Sequence, residues 1–324
     1  MGRCSKMVFD MVKMLQSFQG PAKEAVNNKI GHLILFDRDE DMVTPLCTQT
    51  TYAGLVDDRY GIHCGFCDFP AEVTGTNKSQ RLLLTKDDVL FEEIRDRHIS
   101  NVFNFLKQKA KEVQVGYSKG RNIASIGDMK DFVQKELKGL KQDYKSLTMH
   151  VGACEGILKQ TSEQLDFQEQ LQTEHSMLEG INLKDCYTYI EEHIARQSSH
   201  IRSLRFCCLL SLTQNGLPTK DFRGLQSHYL HSNGYQHLVT FSNLKKLGMF
   251  TEQTTVEVTK MSASDVKSRI AEKALKRTAF RLLSKRLNLI PRQGEVNLQN
   301  PDDMSYVFSG AYTPLSCKLV EQIF

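Results

Sequence analysis

The 324-residue sequence has no tryptophan, only seven prolines and no apolar run longer than a few residues. Each shortage excludes something. Scarce proline, with 20 glycines in no fixed period, excludes a collagenous or broadly low-complexity chain. The longest apolar runs, such as Leu33-Ile34-Leu35-Phe36, fall far short of the roughly 18 residues that span a bilayer. The opening residues Met1–Asp10 lack the long apolar centre of a secretory signal. No sign of charge dominates: 42 Lys and Arg against 38 Asp and Glu leave +4, which predicts no bulk attraction to nucleic acid. No G-x-G-x-x-G, G-x-x-x-x-G-K-[ST] or H-E-x-x-H is present, so no cofactor is expected. Nine cysteines, an odd count lying mostly in helical patterns and including the neighbours Cys207-Cys208, read as reduced thiols of a cytoplasmic protein.

What is there builds a core. The chain is 40% hydrophobic and 25% charged, and its length allows two domains at about 150 residues each. Met7, Met11, Met14, Leu15 and Phe18 predict an amphipathic helix over the first 20 residues. Ile30–Phe36 then reads as a buried strand of a parallel sheet, ending in acid and followed by a helix-like stretch from Thr48 to Val56. From Asp87 to Leu289 the pattern is helical almost without interruption. Leu90, Ile94, Val102, Phe105, Leu106 and Val113 mark one face of a long helix. Val133, Leu137, Leu140, Tyr144, Leu147, Val151, Cys154 and Leu158 alternate spacings of four and three, the period of a coiled-coil seam. Gln114–Gly127, rich in Gly, Ser, Lys and Arg, reads as the tip of a long helical hairpin whose second arm reaches roughly 40 Å at 1.5 Å per residue. Further helices are expected near 164–178, 186–197, 201–213, 220–230 and 235–247. The last residues switch back, with Ser305–Phe308 strand-like and Pro314 opening a final helix. The expected fold class is α/β plus a large all-α insertion, with an incomplete parallel sheet whose missing strands imply that the chain is a fragment.

Few constellations carry chemistry. Asp37-Arg38-Asp39-Glu40-Asp41, at the carboxyl end of the expected strand, could hold Mg²⁺ or Ca²⁺. A calcium loop fails because Met42 and Thr48 stand where Gly and Glu are needed. An HAD-like Mg²⁺-dependent phosphohydrolase would use Asp37 as nucleophile and Asp39 as acid-base partner, but the later lysine and acids it needs are not seen. A loop with an Asp–Arg pair and a helix cap is the favoured reading. Cys64 and Cys67, with His63, have the spacing of half a zinc site but no second close pair; two loop thiols are expected, with no metal. His98 is read as a satisfied core histidine, and His228, His231 and His237 as surface residues. Ten basic residues against two acids between Lys260 and Arg292 give a local +8, leaving −4 for the remainder. Lys273, Arg277, Arg281 and Lys285 on this basic amphipathic stretch are candidates for anionic lipid or an acidic partner helix, against the plainer reading of a solvated excursion.

The run Gly31-His32-Leu33-Ile34-Leu35-Phe36-Asp37-Arg38-Asp39-Glu40-Asp41-Met42-Val43-Thr44-Pro45-Leu46, with Gln49 and Thr51–Asp58, resembles the signature of SM (Sec/Munc-like) proteins, the chaperones of SNARE-mediated membrane fusion. Glu93–His98, Met129–Val133 and Tyr306–Leu315 match further blocks in family order. Phe132–Lys141, His150–Glu155, Tyr189–His193 and Asn288–Arg292 resemble a vacuolar-sorting branch of that family. The resemblance implies an SM-type arch of which this chain holds the middle: 1–58 and 301–324 as parts of α/β domain 2, 59–160 as domain 3a with the hairpin, and 161–300 as helical domain 3b. It implies SNARE helices as partners, received at Met129, Lys130, Phe132, Val133 and Leu137; no enzyme activity is expected, because no nucleophile, base or metal set converges in the sequence. It further implies a VIPAR-type vacuolar-sorting partner subunit and peripheral, partner-mediated association with late endosomes and lysosomes. A helical scaffold or adaptor without SNARE binding is the other competing class.

Overall fold

Three-and-four spacing of apolar residues makes most of this chain helical, and the computed structural model describes residues 2–19, 31–121, 136–163, 167–253, 280–291, 297–299 and 301–323. In chain order the helices are α1 (Arg3–Gln19), α2 (Tyr52–Tyr60), α3 (Ala71–Thr74), α4 (Val89–Ile94), α5 (Ile99–Arg121), α6 (Leu137–Glu163) and α7 (Phe167–Glu179). They continue with α8 (Leu183–Arg196), α9 (His200–Thr213), α10 (Thr219–Asn233), α11 (Leu238–Leu247), α12 (Phe280–Leu287) and α13 (Leu315–Glu321). Strands β1 (Ile62–His63), β2 (Phe66–Phe69) and β3 (Gln80–Leu83) form one antiparallel sheet in that order. The chain divides into two compact units, the first being 1–47, 176–290 and 314–324, the second 48–175 and 291–313.

The expected parallel sheet is corrected on two counts. Residues 31–37 form no strand, and no strand among the described residues lies beside them to complete a ladder. Asp37 instead turns to the start of α1 and satisfies its free N–H groups. Ser305–Phe308 lies in a 3-10 turn, Met304–Phe308, because the Asp303 carboxylate caps it by accepting from the Ser305 N–H at 2.7 Å. The sheet that does form lies where a loop was expected. Cys64 and Gly65 both have positive φ, 53° and 82°, which makes the two-residue turn between β1 and β2. Along β2, Cys67 and Phe69 enter the core while Phe66 and Asp68 face out.

The second unit has a core drawn from every one of its main elements: Tyr52 and Leu55 of α2, Phe69 of β2, Ile94 of α4, Leu106 of α5 and Ile157 of α6. The single long helix expected from Leu90 to Val113 is in fact two, α4 and α5. Arg95–His98 leaves the helix because its carbonyls face α2: Ala53 N–H donates to Arg95 O and Tyr52 N–H to Arg97 O, both at 3.0 Å. On α6, Gly152 and Gly156 let neighbours approach closely. A Cβ on Gly152 would lie 2.2 Å from the Val73 carbonyl oxygen of α3, and one on Gly156 would lie 2.3 Å from the Tyr60 hydroxyl of α2. In the first unit α9 is buried on nearly all sides, with Phe206, Cys207, Cys208, Leu209 and Leu210 all inside. Phe222 of α10 stacks on Phe250 at 4.6 Å between ring centroids.

A buried polar network crosses the core of the second unit. His150 of α6 is fully buried; its Nδ1 lies 2.8 Å from the Tyr52 hydroxyl and its Nε2 lies 3.2 Å from Asp88 Oδ2. Asp88 also caps α4 by accepting from the Phe91 N–H at 3.1 Å, and accepts from the Ser146 hydroxyl at 2.8 Å. Burial alone would raise the Asp88 carboxyl, but His150, the Phe91 N–H and Ser146 outweigh it and hold the group at about 2. A carboxyl depressed from 3.8 contributes stability above its unfolded value that is lost as pH falls toward 2, worth about 2 kcal/mol. Asp88→Asn is therefore expected to cost about 2 kcal/mol at neutral pH and to flatten the acid loss between about pH 4 and 2. Urea unfolding of both proteins across that range checks it; equal losses on acidification would refute the assignment.

Candidate functional site

Helices α5 and α6 pack side by side in the second unit. Toward their outer ends the packing is thin. Gly116 of α5 sits against Leu140 of α6, where a Cβ would come within 2.7 Å of Leu140 Cδ2. Beside it the rings of Tyr117 and Tyr144 meet edge to face at 6.3 Å. Val115 and Tyr144 are otherwise exposed. Of the residues expected to receive a helical partner, Leu137 is the first residue of α6 and half-buried. Met129, Lys130, Phe132 and Val133 lie outside the described residues. So do Lys273 and Arg277 of the basic stretch. Arg281 and Lys285 lie on the exposed side of α12, where the Arg281 guanidinium donates to the side-chain oxygen of Gln214 in the same unit.

The acidic loop is a structural device. Asp37 Oδ2 accepts from the Cys4 N–H at 2.8 Å, and Oδ1 accepts from the Ser5 N–H at 2.6 Å and the Ser5 hydroxyl at 2.5 Å. The Ser5 hydroxyl, more than any other cause, lowers the Asp37 carboxyl below its ordinary value. Asp41 accepts from the N–H of Thr44 at 3.0 Å and its hydroxyl at 2.6 Å, closing the next turn. The carboxylates thus aim at different backbone ends, and Asp37 has both oxygens engaged where a phosphohydrolase would need a free nucleophile. Among the described residues no group of three or more His, Cys, Asp or Glu is placed to hold a metal ion.

Cysteine and histidine candidates are equally explained by packing. Cys64 is exposed in the β1–β2 turn, while Cys67 is buried on β2. Burial first, then Asp68 and Asp57, pushes the Cys67 thiol up to about 11, so it is protonated and unreactive at neutral pH. His98 is buried and lies within hydrogen-bonding distance of the Ser100 and Ser309 hydroxyls, 2.8 and 3.2 Å away. His228 approaches Glu191 at 3.5 Å on an exposed surface, and His237 packs its ring on Tyr229. One spacing passed over in the sequence reading is Gly116-Tyr117-Ser118-Lys119-Gly120, which has the form G-x-S-x-G. It lies within α5, not on a strand-to-helix elbow, and the Ser118 hydroxyl donates to the Gln114 carbonyl at 2.9 Å. It is no nucleophile. A surface the sequence did not flag is the apolar cluster Tyr235, Leu238 and Val239 at the start of α11, exposed by 61, 50 and 68%.

Comparison with known proteins then places the chain. The Sec1 family model matches residues 1–324. Mouse vacuolar protein sorting-associated protein 33B is 49% identical over 334 aligned residues, covering 99% of this chain and 54% of the relative. The vacuolar protein-sorting-associated protein 33 homolog of Arabidopsis thaliana is 34% identical over 99% of this chain and 50% of its own length. The chain therefore spans about half the length of the curated relatives it matches. Among solved structures, the Unc18–syntaxin 1 complex from Monosiga brevicollis matches with a TM-score of 0.57 at 17% identity, over 81% of this chain and 50% of that one. The SM protein Vps45 in complex with the Qa SNARE Tlg2 matches with a TM-score of 0.54 at 19% identity, over 80% of this chain and 50% of that one. At these identities the structural likeness concerns the fold.

Two outcomes follow from the local geometry. A thiol-alkylating reagent is expected to modify Cys64 in the native protein and Cys67 only after unfolding; modification of both at one rate would contradict the burial of β2. Asp37→Ala is expected to loosen the start of α1, read as faster hydrogen exchange at its first turns. Unchanged exchange there would remove Asp37 from the cap.

Proposed function

The chain belongs to the Sec1 family, and from that premise we propose that it is the central part of an SM-type regulator of SNARE assembly, acting in vesicle docking and fusion and in endosomal and lysosomal protein traffic. The observation that carries the reading is the 49% identity to mouse vacuolar protein sorting-associated protein 33B along 99% of this chain. Two proteins sharing the fold, Unc18 and Vps45, have been solved with syntaxin 1 and with Tlg2, which supports SNAREs as the partner class. The curated relatives are about twice as long as this chain, and we assign it a share of the activity of such a protein.

Within that reading the chain supplies the middle of an SM arch. Residues 1–58 and 301–324 belong to domain 2, 59–160 to domain 3a and 161–300 to domain 3b. This division follows family topology, whereas the two compact units follow packing, so their borders differ. Helices α5 and α6 are the arms of the hairpin, and Met129, Lys130, Phe132, Val133 and Leu137 receive SNARE helices beside its tip. A SNARE helix has an apolar seam with a largely acidic exterior, so apolar knobs flanked by lysine complement it. No catalytic step is assigned, because the carboxylates of the acidic loop serve turns and caps. A VIPAR-type vacuolar-sorting subunit is the second partner, and it holds the protein on late endosomes and lysosomes.

Phe132→Asp is expected to weaken capture of SNARE helices by about 2 kcal/mol or more while the helical circular dichroism is kept. Lys130→Glu should act more weakly and fade with added salt, as a rim charge does. Full SNARE affinity in a folded Phe132→Asp protein would overturn the hairpin assignment, and release of phosphate with Mg²⁺ would revive the phosphohydrolase.

A further inference from the structure

A groove of about 840 Å³ opens on the second unit between α4, α5, the first half of α6 and the loop after β3. Its floor is apolar, with Leu90, Val113 and Leu140 half-buried and Leu147 buried. The apolar surface continues over the edge onto Leu83, Val89 and Tyr144, exposed by 50, 65 and 57%. A small ligand is normally enclosed over most of its surface, so apolar residues spilling outward fit a longer, partly covered occupant such as the face of a helix.

The rim decides which helix. Asp87, Asp88, Glu93, Glu112 and Asp143 line the groove against only Lys109 and Lys145, a net −3. Lys109 lies 3.6 Å from Glu93 and 3.4 Å from Glu112, so one ammonium is shared between two carboxylates. Asp88 is engaged by His150 and Ser146, yet setting it aside still leaves a net −2. We propose that this groove binds the apolar face of a basic amphipathic helix from another protein, with the partner's Lys or Arg residues set against Glu93, Glu112 and Asp143. An acidic helix of SNARE type is opposed by the same rim, so the groove is a separate site from the hairpin tip and does not depend on the SNARE reading.

The test uses the full chain and two labelled synthetic helices of about 18 residues, each with leucine at i, i+3, i+4 and i+7, one filled with lysine and one with glutamate. The lysine peptide is expected to bind, and more tightly at low salt; the glutamate peptide is not. Glu93→Lys combined with Glu112→Lys should weaken binding about tenfold, an effect that shrinks as salt rises. Leu140→Asp should weaken it by at least about tenfold at any salt. If Leu140→Asp loses its helical circular dichroism, Val89→Asp at an exposed edge serves in its place. Absence of lysine-peptide binding, equal binding of the two peptides, or affinity within about twofold of the parent in both the charge and the apolar variants would overturn the proposal.

Discussion

The strip Thr48–Ala53 ties the second unit together: Thr48, Thr50, Thr51 and Tyr52 are buried, and buried polar groups need partners. Thr48 donates its N–H and hydroxyl to the two oxygens of Glu174, at 2.7 and 2.6 Å, and accepts from Gln170 at 2.6 Å. Thr50 N–H donates to Val307 O at 2.8 Å, and Ile99 N–H donates to Thr50 O at 2.9 Å. Tyr52 and Ala53 use the carbonyls of Arg97 and Arg95. Stretches around 95–99, 170–174 and 306–309 are thus pinned to one strip of chain. Removing any one would leave a buried donor or acceptor unmet, a loss of about 1–3 kcal/mol each. Glu174 is buried with both side-chain oxygens engaged by Thr48 and Gln170.

The same strip explains where sequence reasoning stopped. The helices from Leu137 onward were legible because their packing is periodic along one face, and the expected ranges agree with α6–α11 to within a few residues. The break between α4 and α5 was not legible. Its cause lies in residues 50–53, more than 40 positions away, and nothing in the local pattern from Leu90 to Val113 interrupts the helical period. The sheet was missed for the opposite reason: its strands have two to four residues, too few for alternation to register. Cys64 and Cys67 drew attention as a thiol pair when they mark a turn residue and a core residue of one hairpin.

The acidic loop shows how far an isolated motif can be trusted. Its position after an apolar run suggested an active-site corner; of the favoured reading the cap is found, whereas Arg38 donates to the Asp41 backbone carbonyl at 3.3 Å in place of the expected Asp–Arg pair. What the sequence could not supply was the identity of the capped helix, since Asp37 closes α1 across 32 residues of chain. The candidate hairpin site was legible only through family resemblance. Its residue types, four apolar side chains and a lysine beyond a Gly/Ser-rich stretch, occur on many helix ends and carry little specificity alone.

Gly152 and Gly156 give α6 an uneven mechanical character. At Gly152 the backbone of α3 comes directly against the helix, and at Gly156 the Tyr60 hydroxyl of α2 does. At the other end, residues 138, 139 and 141–145 are exposed. A helix of 27 residues, about 40 Å long, is thus held closely over its second half and more lightly, through Leu140 and Tyr144 against α5, near its start. Substitutions that add a side chain are therefore tolerated unequally along it: space is open at Gly139, whereas at Gly152 and Gly156 a Cβ would run into Val73 and Tyr60.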